Sequence, residues 1–98
     1  MHLIVVEELA LDDLDELRTY DRRLLEDAME ERLAHDPLVR TRNRKPLESF
    51  VPAWEHVQPI WELRVGDFRV FYDVEESAET VHVRRILRKG TKSTGEMT

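Results

Sequence analysis

Residues 61–74 read WELRVGDFRVFYDV, two alternating segments joined by a glycine and an aspartate. In each segment every second side chain is large and apolar, which is the repeat of a β-strand that buries one face. Gly66 suits the first central position of a two-residue type II′ turn, because that position needs a positive φ. The pattern therefore predicts a β-hairpin with its apolar row on one face and with Arg64 and Arg69 close together on the other.

The two hairpin arginines have two interpretations that the sequence leaves open. A guanidinium group is planar and stays charged, so a pair of them suits a phosphate or another anion. The same arginines are also placed to form cross-strand ion pairs with Glu62 and Asp73, which point to the same face. The first interpretation predicts an open cationic site, and the second predicts a neutral, structural one.

The amino-terminal part of the chain predicts one strand and two helical segments. Residues 3–6, LIVV, are rich in β-branched side chains and favour a strand. Four leucines at helical spacing predict a helix over residues 9–18, and a second apolar stripe follows for which Asp21 is the expected N-cap. This stripe ends before Pro37, since a residue that precedes proline is pushed out of the helical region. The two segments form either a helical hairpin or one bent helix.

The rest of the chain is irregular at first and then returns to strand. Residues 38–60 hold three prolines and a basic cluster, so they predict a loop around the sheet edge, with at most a short strand toward its end. Residues 81–87 predict a last strand in which Arg84 and Arg85 break the alternation and indicate a bulge or an edge. Residues 90–98 have little to bury and are expected to be a mobile tail.

Large aromatic residues divide between the hairpin and the loop. Trp61, Phe68 and Tyr72 belong to the apolar row of the hairpin, so we expect them in the core. Trp54 lies in the loop, and its role stays open among a lid, a partner contact and a local anchor.

Element order and length together define the fold class. Helices that precede a run of antiparallel strands are typical of an α+β layer in which the helices cover one sheet face. We therefore predict an N-terminal strand, a helical hairpin and then a three-stranded antiparallel sheet packed on the helices. The 98 residues suffice for one domain, residues 1–98, with a single modest core.

Composition narrows the chemistry that the chain can perform. There is no cysteine, so neither a disulfide nor a thiolate metal site is available. The four histidines lack metal-ligand spacing, and we expect no metal and no other cofactor. The apolar runs are far shorter than the ~18 residues of a membrane span, so no membrane contact and a cytoplasmic location are the default expectations.

Charge is distributed unevenly along the chain. The net charge is −6, but residues 1–36 hold twelve acids and four bases, while the remainder is slightly basic. This division indicates either a basic side that meets phosphate or an acidic partner, or two ordinary solvated surfaces. A pI near 5.2 argues against nucleic-acid binding through bulk electrostatics, so any such contact would be local.

The segment LRVGDFRVFYDV, residues 63–74, resembles the hairpin of the RelE/ParE superfamily of toxins from bacterial type II toxin–antitoxin systems. Residues 45–47, KPL, and the later segment VHVRRILRK, residues 81–89, are more weakly similar to the same toxins. The resemblance implies a RelE-like fold and a cognate antitoxin protein as partner. Members of the RelE type cleave mRNA on the ribosome without a metal and so inhibit translation, whereas members of the ParE type inhibit DNA gyrase.

The resemblance also implies roles for individual basic residues. Arg69 occupies the hairpin-arginine position and is expected to stabilise the charge that builds on a phosphoryl group, with support from Arg64. Lys89 is the third candidate catalytic residue, and Glu48 is the alternative for the acid–base role, because after Tyr72 the chain has no tyrosine and only His82 as a histidine. The residues expected to bind RNA or phosphate are Lys45, Arg85 and Arg88.

The basic residues of the last strand have a second interpretation, as an exposed edge that charge protects against strand pairing. The expected function is a ribosome-dependent, metal-independent mRNA endonuclease that acts on ribosome and mRNA. The alternatives are a ParE-like inhibitor of DNA gyrase and a catalytically weak relative that only binds an antitoxin.

Overall fold

A computed structural model describes residues 1–89. The elements are β1 (Leu3–Val6), α1 (Glu8–Asp15), α2 (Thr19–Leu33), β2 (Arg44–Leu47), β3 (Ile60–Val65), β4 (Phe68–Glu75) and β5 (Thr80–Arg88), with a short 3₁₀ turn (Glu76–Ala78) between the last two strands. The strands form one sheet in the order β1-β5-β4-β3-β2. β1 runs parallel to β5, and the other neighbours are antiparallel. The helices cover one face, so the predicted α+β class is confirmed.

The strand count is one higher than predicted, because β2 lies inside the stretch that was expected to be a loop. Pro46 is tolerated there through its position in the ladder. The N–H of Arg64 donates to the carbonyl of Asn43, so the backbone N–H and C=O groups of the odd-numbered residues of β2 point toward β3. The backbone of Pro46 points away from β3, toward the outside of the sheet. A proline at an outward position of an edge strand removes no ladder hydrogen bond.

The helix boundaries also differ from the expected ones. α1 ends at Asp15, three residues before the predicted end, and the two helices are separate. α2 already begins at Thr19, so the prediction of Asp21 as its N-cap is wrong. Asp21 instead lies in the first turn, where a negative charge favours the positive end of the helix dipole. α2 ends at Leu33, ahead of the proline as predicted.

The main core lies between the helices and one face of the sheet. The helices contribute the buried side chains of Ala10, Leu14, Leu25, Ala28, Met29 and Leu33, and the sheet contributes Trp61, Leu63, Val65, Phe68, Val70, Tyr72, Val81, Val83 and Ile86. The core positions of Trp61, Phe68 and Tyr72 are thus confirmed. The Tyr72 hydroxyl donates to the carbonyl of Pro37 at 2.6 Å, which ties the loop after α2 to the sheet.

The hairpin turn has the geometry that its sequence predicts. Gly66 has φ +55°, and Val65 pairs with Phe68 across the turn. A Cβ at Gly66 would meet no atom within 4 Å. The backbone conformation therefore requires the glycine, and crowding does not.

The second face of the sheet is covered in part by residues 48–59, which we call the strap. Trp54 of the strap packs on Phe71 of β4, with 5.9 Å between the ring centroids, and Phe50 contacts both rings. Ile60 completes this small buried cluster. Trp54 is only 9 % exposed, so among its three possible roles it is a local anchor.

The last strand contains the predicted bulge. Phe71 pairs with Arg85 and Tyr72 pairs with Val83, so Arg84 is the additional residue. Beyond the bulge α1 lies along β5, and the Asp13 carboxylate accepts the N–H of Ile86 at 2.8 Å.

No helix within residues 1–89 is long and apolar enough to cross a membrane. The expected mobile tail, residues 90–98, lies outside the described part of the chain.

Candidate functional site

The hairpin arginines meet at the carboxylate of Glu62, which is only 2 % exposed. Arg69 donates from Nη1 to Glu62 Oε1 at 2.6 Å, and Arg64 Nε lies 3.7 Å from the same oxygen. Arg64 and Arg69 are direct partners across β3 and β4, so the predicted proximity is correct. The cross-strand ion pair that the sequence left open is formed with Glu62.

The two arginines differ in exposure. The Arg69 side chain is 16 % exposed, whereas that of Arg64 is 47 % exposed. Lys45 lies directly opposite Glu62 in the register of β2 and β3. Its exposed side chain forms no ion pair within residues 1–89. The charge available to a partner on this face therefore comes from Arg64 and Lys45 more than from Arg69.

An open depression of about 480 Å³ lies beside Lys45, along the β2 edge of the sheet. Its apolar lining comes from Pro46, Leu47 and Phe50, and Arg40 stands at its side, 3.7 Å from Glu48. The depression combines apolar surface with positive charge, which is the composition of a protein-binding patch more than of a closed catalytic cleft.

The other predicted site residues are held in place by partners. Arg85 makes two hydrogen bonds to Asp13, at 2.8 and 3.1 Å, and its guanidinium carbon lies 5.5 Å from the Trp54 ring centroid. Arg88 stacks on the Phe68 ring at 4.5 Å, so it lies on the helix-covered face, opposite Arg69.

Lys89 follows β5 and is exposed, and its N–H donates to the Asp67 carbonyl in the hairpin turn. The structure thus brings Lys45, Arg64 and Arg69 together around Glu62, and it places Arg85 and Arg88 elsewhere.

A buried ion pair between Arg84 and Asp73 lies on the same face as Glu62. Two hydrogen bonds join them, from Nε to Oδ2 at 2.8 Å and from Nη2 to Oδ1 at 3.2 Å. Asp73 also accepts the N–H of Val57, which fastens the strap to β4. The sequence offered Arg64 and Arg69 as ion-pair partners of Asp73, and this is wrong, because the bulge brings Arg84 to Asp73 instead.

His82 lies between two carboxylates. Its Nδ1 is 2.6 Å from Glu7 and its Nε2 is 3.2 Å from Glu75. Burial lowers the pKa of His82, but the hydrogen bonds to Glu7 and Glu75 outweigh burial and the nearby Arg84 charge, so the pKa lies above its ordinary value. Protonated His82 thereby links the corner between β1 and α1 to the end of β4.

The raised pKa of His82 predicts a pH-dependent contribution to stability. A group whose pKa is higher in the folded state stabilises the fold fully at pH values below its pKa in the unfolded chain. This stabilisation is lost as the pH rises through the pKa of the group in the folded protein. We expect His82→Asn to reduce the free energy of unfolding more at about pH 5.5 than at about pH 8.5, on either side of the ordinary histidine pKa. Urea denaturation at both values measures the difference. His35→Asn, at an exposed position, is the control, and an equal loss at both pH values would contradict the prediction.

Within residues 1–89 no group of three or more histidine, cysteine, aspartate or glutamate side chains is arranged to hold a metal ion.

Comparison with known proteins defines the class of the chain. Residues 4–92 match the family model of the ParE toxin of the type II toxin–antitoxin system, parDE. The chain therefore belongs to the ParE toxin family, and it is a toxin of a type II toxin–antitoxin system. The predicted RelE/ParE superfamily is confirmed. No curated protein sequence matches the chain.

Solved structures show the same fold. The RelE–RelB complex of Pyrococcus horikoshii matches with a TM-score of 0.71 and 17 % identity over 93 % of this chain and 98 % of that one. The RelBE2 toxin–antitoxin complex of Mycobacterium tuberculosis matches with a TM-score of 0.72 and 20 % identity over 90 % and 98 %. The intact Escherichia coli RelBE complex matches with a TM-score of 0.60 and 17 % identity over 94 % and 100 %. At these identities the similarity establishes the fold.

Proposed function

We propose that this toxin inhibits DNA gyrase by binding it, and that a cognate antitoxin protein neutralises the toxin. Membership in the ParE toxin family supports the target, because the ParE type of the superfamily is the type that inhibits gyrase. The observation that supports binding over RNA cleavage is the ion pair between Arg69 and the buried carboxylate of Glu62.

Cleavage of mRNA needs cations aimed at the charge that builds on the phosphoryl oxygens. Arg69 holds the hairpin position for this task, but its guanidinium already donates to Glu62 at 2.6 Å. A phosphate that approached Arg69 would compete with this carboxylate and be repelled by its negative charge. The site therefore favours retention of the ion pair over stabilisation of a phosphoryl transition state.

Cleavage also needs a group that takes the proton of the attacking 2′-hydroxyl. Tyr72 lies on the opposite, helix-covered face, where burial raises the pKa of its hydroxyl well above the usual range. His82 lies opposite Asp73 in the register of β4 and β5. Asp73 is four residues along β4 from Arg69, which is about 13 Å at the rise of a strand. Neither side chain is placed to move a proton beside Arg69.

A binding surface, in contrast, needs exposed charge next to apolar area, and Arg64, Lys45 and the depression along β2 supply both. Charges at the rim of such a surface speed association with an oppositely charged partner. We assign the gyrase contact to this surface.

The test combines a supercoiling assay with purified gyrase and transcript 5′-end mapping in translating cell extract. We expect the toxin to block supercoiling, to leave transcripts intact, and to lose its effect when the antitoxin is added. We expect Lys45→Ala combined with Arg64→Ala to raise the half-inhibitory concentration about tenfold, in line with the loss of rim charges. Arg18→Ala combined with Arg23→Ala, at exposed positions on the helix side of the sheet, removes the same number of charges and is the matched control. Normal supercoiling together with cut transcripts would refute the proposal.

Ribosome-dependent mRNA cleavage is the second candidate function. The observation that favours it is the exposure of Lys45 and Arg64 beside the hairpin, where a bound RNA would meet two cations, on a fold that the RelE complexes share. In that case Arg69, Arg64 and Lys89 remain the proposed catalytic residues, and Lys45, Arg85 and Arg88 the proposed RNA contacts. The same pair of assays decides between the two functions.

A further inference from the structure

The outer face of α2 exposes apolar side chains that the core does not use. Tyr20 is 76 % exposed and Leu24, one turn further along, is 41 % exposed. Together with Thr19, Arg23 and Asp27 they line an open depression of about 460 Å³. Exposed apolar residues that lie together in this way mark interaction surfaces more often than isolated ones do.

Three carboxylates continue the same outer face toward the C-terminal end of α2. Asp27, Glu30 and Glu31 follow at helical spacing. All three are exposed, and none forms an ion pair within residues 1–89. Arg23 contributes one opposing charge, so the face is acidic overall.

The other carboxylates of α2, those of Asp21 and Glu26, have basic partners. Asp15 and Glu26 both approach Arg22, at 3.4 and 3.9 Å, and Asp21 lies 3.8 Å from Arg88. Within α2 the unpaired negative charge is therefore concentrated next to the exposed apolar pair.

We propose that the outer face of α2 binds a basic amphipathic helix of the antitoxin. Apolar side chains of that helix cover Tyr20 and Leu24, and its lysines or arginines, one to two turns further on, meet Asp27, Glu30 and Glu31. A helix fits because side chains three and four residues apart form a ridge that packs into the grooves of another helix, whereas an added strand would need a sheet edge. Because the α2 face is acidic, a complementary partner helix carries positive charge, in accord with the strongly acidic residues 1–36.

This inference rests on the antitoxin of the proposed function, but it does not depend on gyrase as the target. The α2 face and the surface around Lys45 and Arg64 lie on opposite sides of the sheet, so their contributions separate by mutation. A toxin that binds its antitoxin through α2 but leaves gyrase active would refute the gyrase proposal alone.

The first test measures the affinity of purified toxin for its cognate antitoxin protein by titration calorimetry. We expect Tyr20→Ser combined with Leu24→Ser to weaken binding about ten- to a hundredfold, the effect of losing central apolar contacts. Both positions are exposed, and a circular dichroism spectrum confirms that the variant is folded. Unchanged affinity of this folded variant would overturn the inference.

The second test addresses the charge of the partner. Glu30→Lys combined with Glu31→Lys should slow association about tenfold and flatten its dependence on salt, because the attraction between opposite charges is lost. Glu76→Lys combined with Glu79→Lys makes the same charge change at the exposed turn before β5 and should leave association near the wild-type rate. Faster association of the Glu30 and Glu31 variant would mean that the docked segment is acidic, and it would overturn the inference.

Carbodiimide cross-linking provides a direct reading of the contact, since it joins only carboxylates and amines that touch. We expect cross-links from Asp27, Glu30 or Glu31 to lysines of the antitoxin. Cross-links confined to carboxylates outside α2 would overturn the proposed site.

Discussion

Replacement of Asp73 by alanine is expected to lower the free energy of unfolding by about 3–5 kcal/mol, the cost of removing one partner of a buried ion pair. Asp73 is fully buried and accepts two hydrogen bonds from Arg84, whose side chain is only 9 % exposed. The change leaves the buried Arg84 charge with only the exposed Glu55 carboxylate, 4.0 Å away. It also frees the N–H of Val57, so the strap loses this hydrogen bond to β4 and keeps the packing of Trp54 on Phe71.

Urea denaturation followed by circular dichroism measures this loss. The matched control is Glu76→Ala, which removes a carboxylate at an exposed position of the turn after β4 and should stay within about 0.5 kcal/mol of the wild type. A loss below about 1 kcal/mol for Asp73→Ala would contradict a stabilising role of the ion pair with Arg84 and of the hydrogen bond from Val57.

For the ion pair of Glu62 and Arg69, we expect the loss of stability caused by either single replacement to be largely reversed when both partners are replaced. Glu62→Leu leaves the mostly buried Arg69 charge without its 2.6 Å partner, and Arg69→Met leaves the buried Glu62 carboxylate with only the half-exposed Arg64, 3.7 Å away. We expect each single change to cost about 3 kcal/mol or more, because an uncompensated charge remains. The double variant should regain most of this stability, since an apolar pair of similar volume replaces the ion pair.

The recovered double variant separates a structural role of Arg69 from a catalytic one. If the toxin acts by binding through Arg64 and Lys45, the double variant should still arrest growth upon induced expression. If Arg69 stabilises a phosphoryl transition state, the same folded variant should lose about 10²–10³-fold in RNA cleavage, the cost of removing one such donor. Loss of growth arrest in a double variant of near wild-type stability would contradict a structural role.

The hairpin could be predicted from sequence because its information is local. The alternation of apolar and polar residues defines the two faces of the hairpin. The single glycine defines the turn and therefore the pairing of Arg64 with Arg69. β2 could not be predicted in the same way, since Pro46 argues against a strand until its outward position in the ladder is known. The start of α2 was missed for a similar reason, because neither helix has a side-chain cap that would mark its first residue.

The candidate site was predicted less completely, because its charge depends on burial. The sequence shows that Glu62 and Arg69 share a face, but the strap and neighbouring strands decide that Glu62 is enclosed and Arg64 is not. The bulge at Arg84 then changes the alternation of β5, so Arg88 shares a face with Phe68 and not with Arg69. Such shifts of one residue depend on tertiary pairing that no short motif encodes.

The outer border of β2 bears on self-association. Its two outward-facing positions are both closed to another chain: the backbone of Arg44 already pairs with Thr41, and Pro46 has no N–H to offer. A second copy therefore finds no ladder to extend on this side of the sheet, which removes one route to fibre-like aggregates when the toxin is free of its antitoxin.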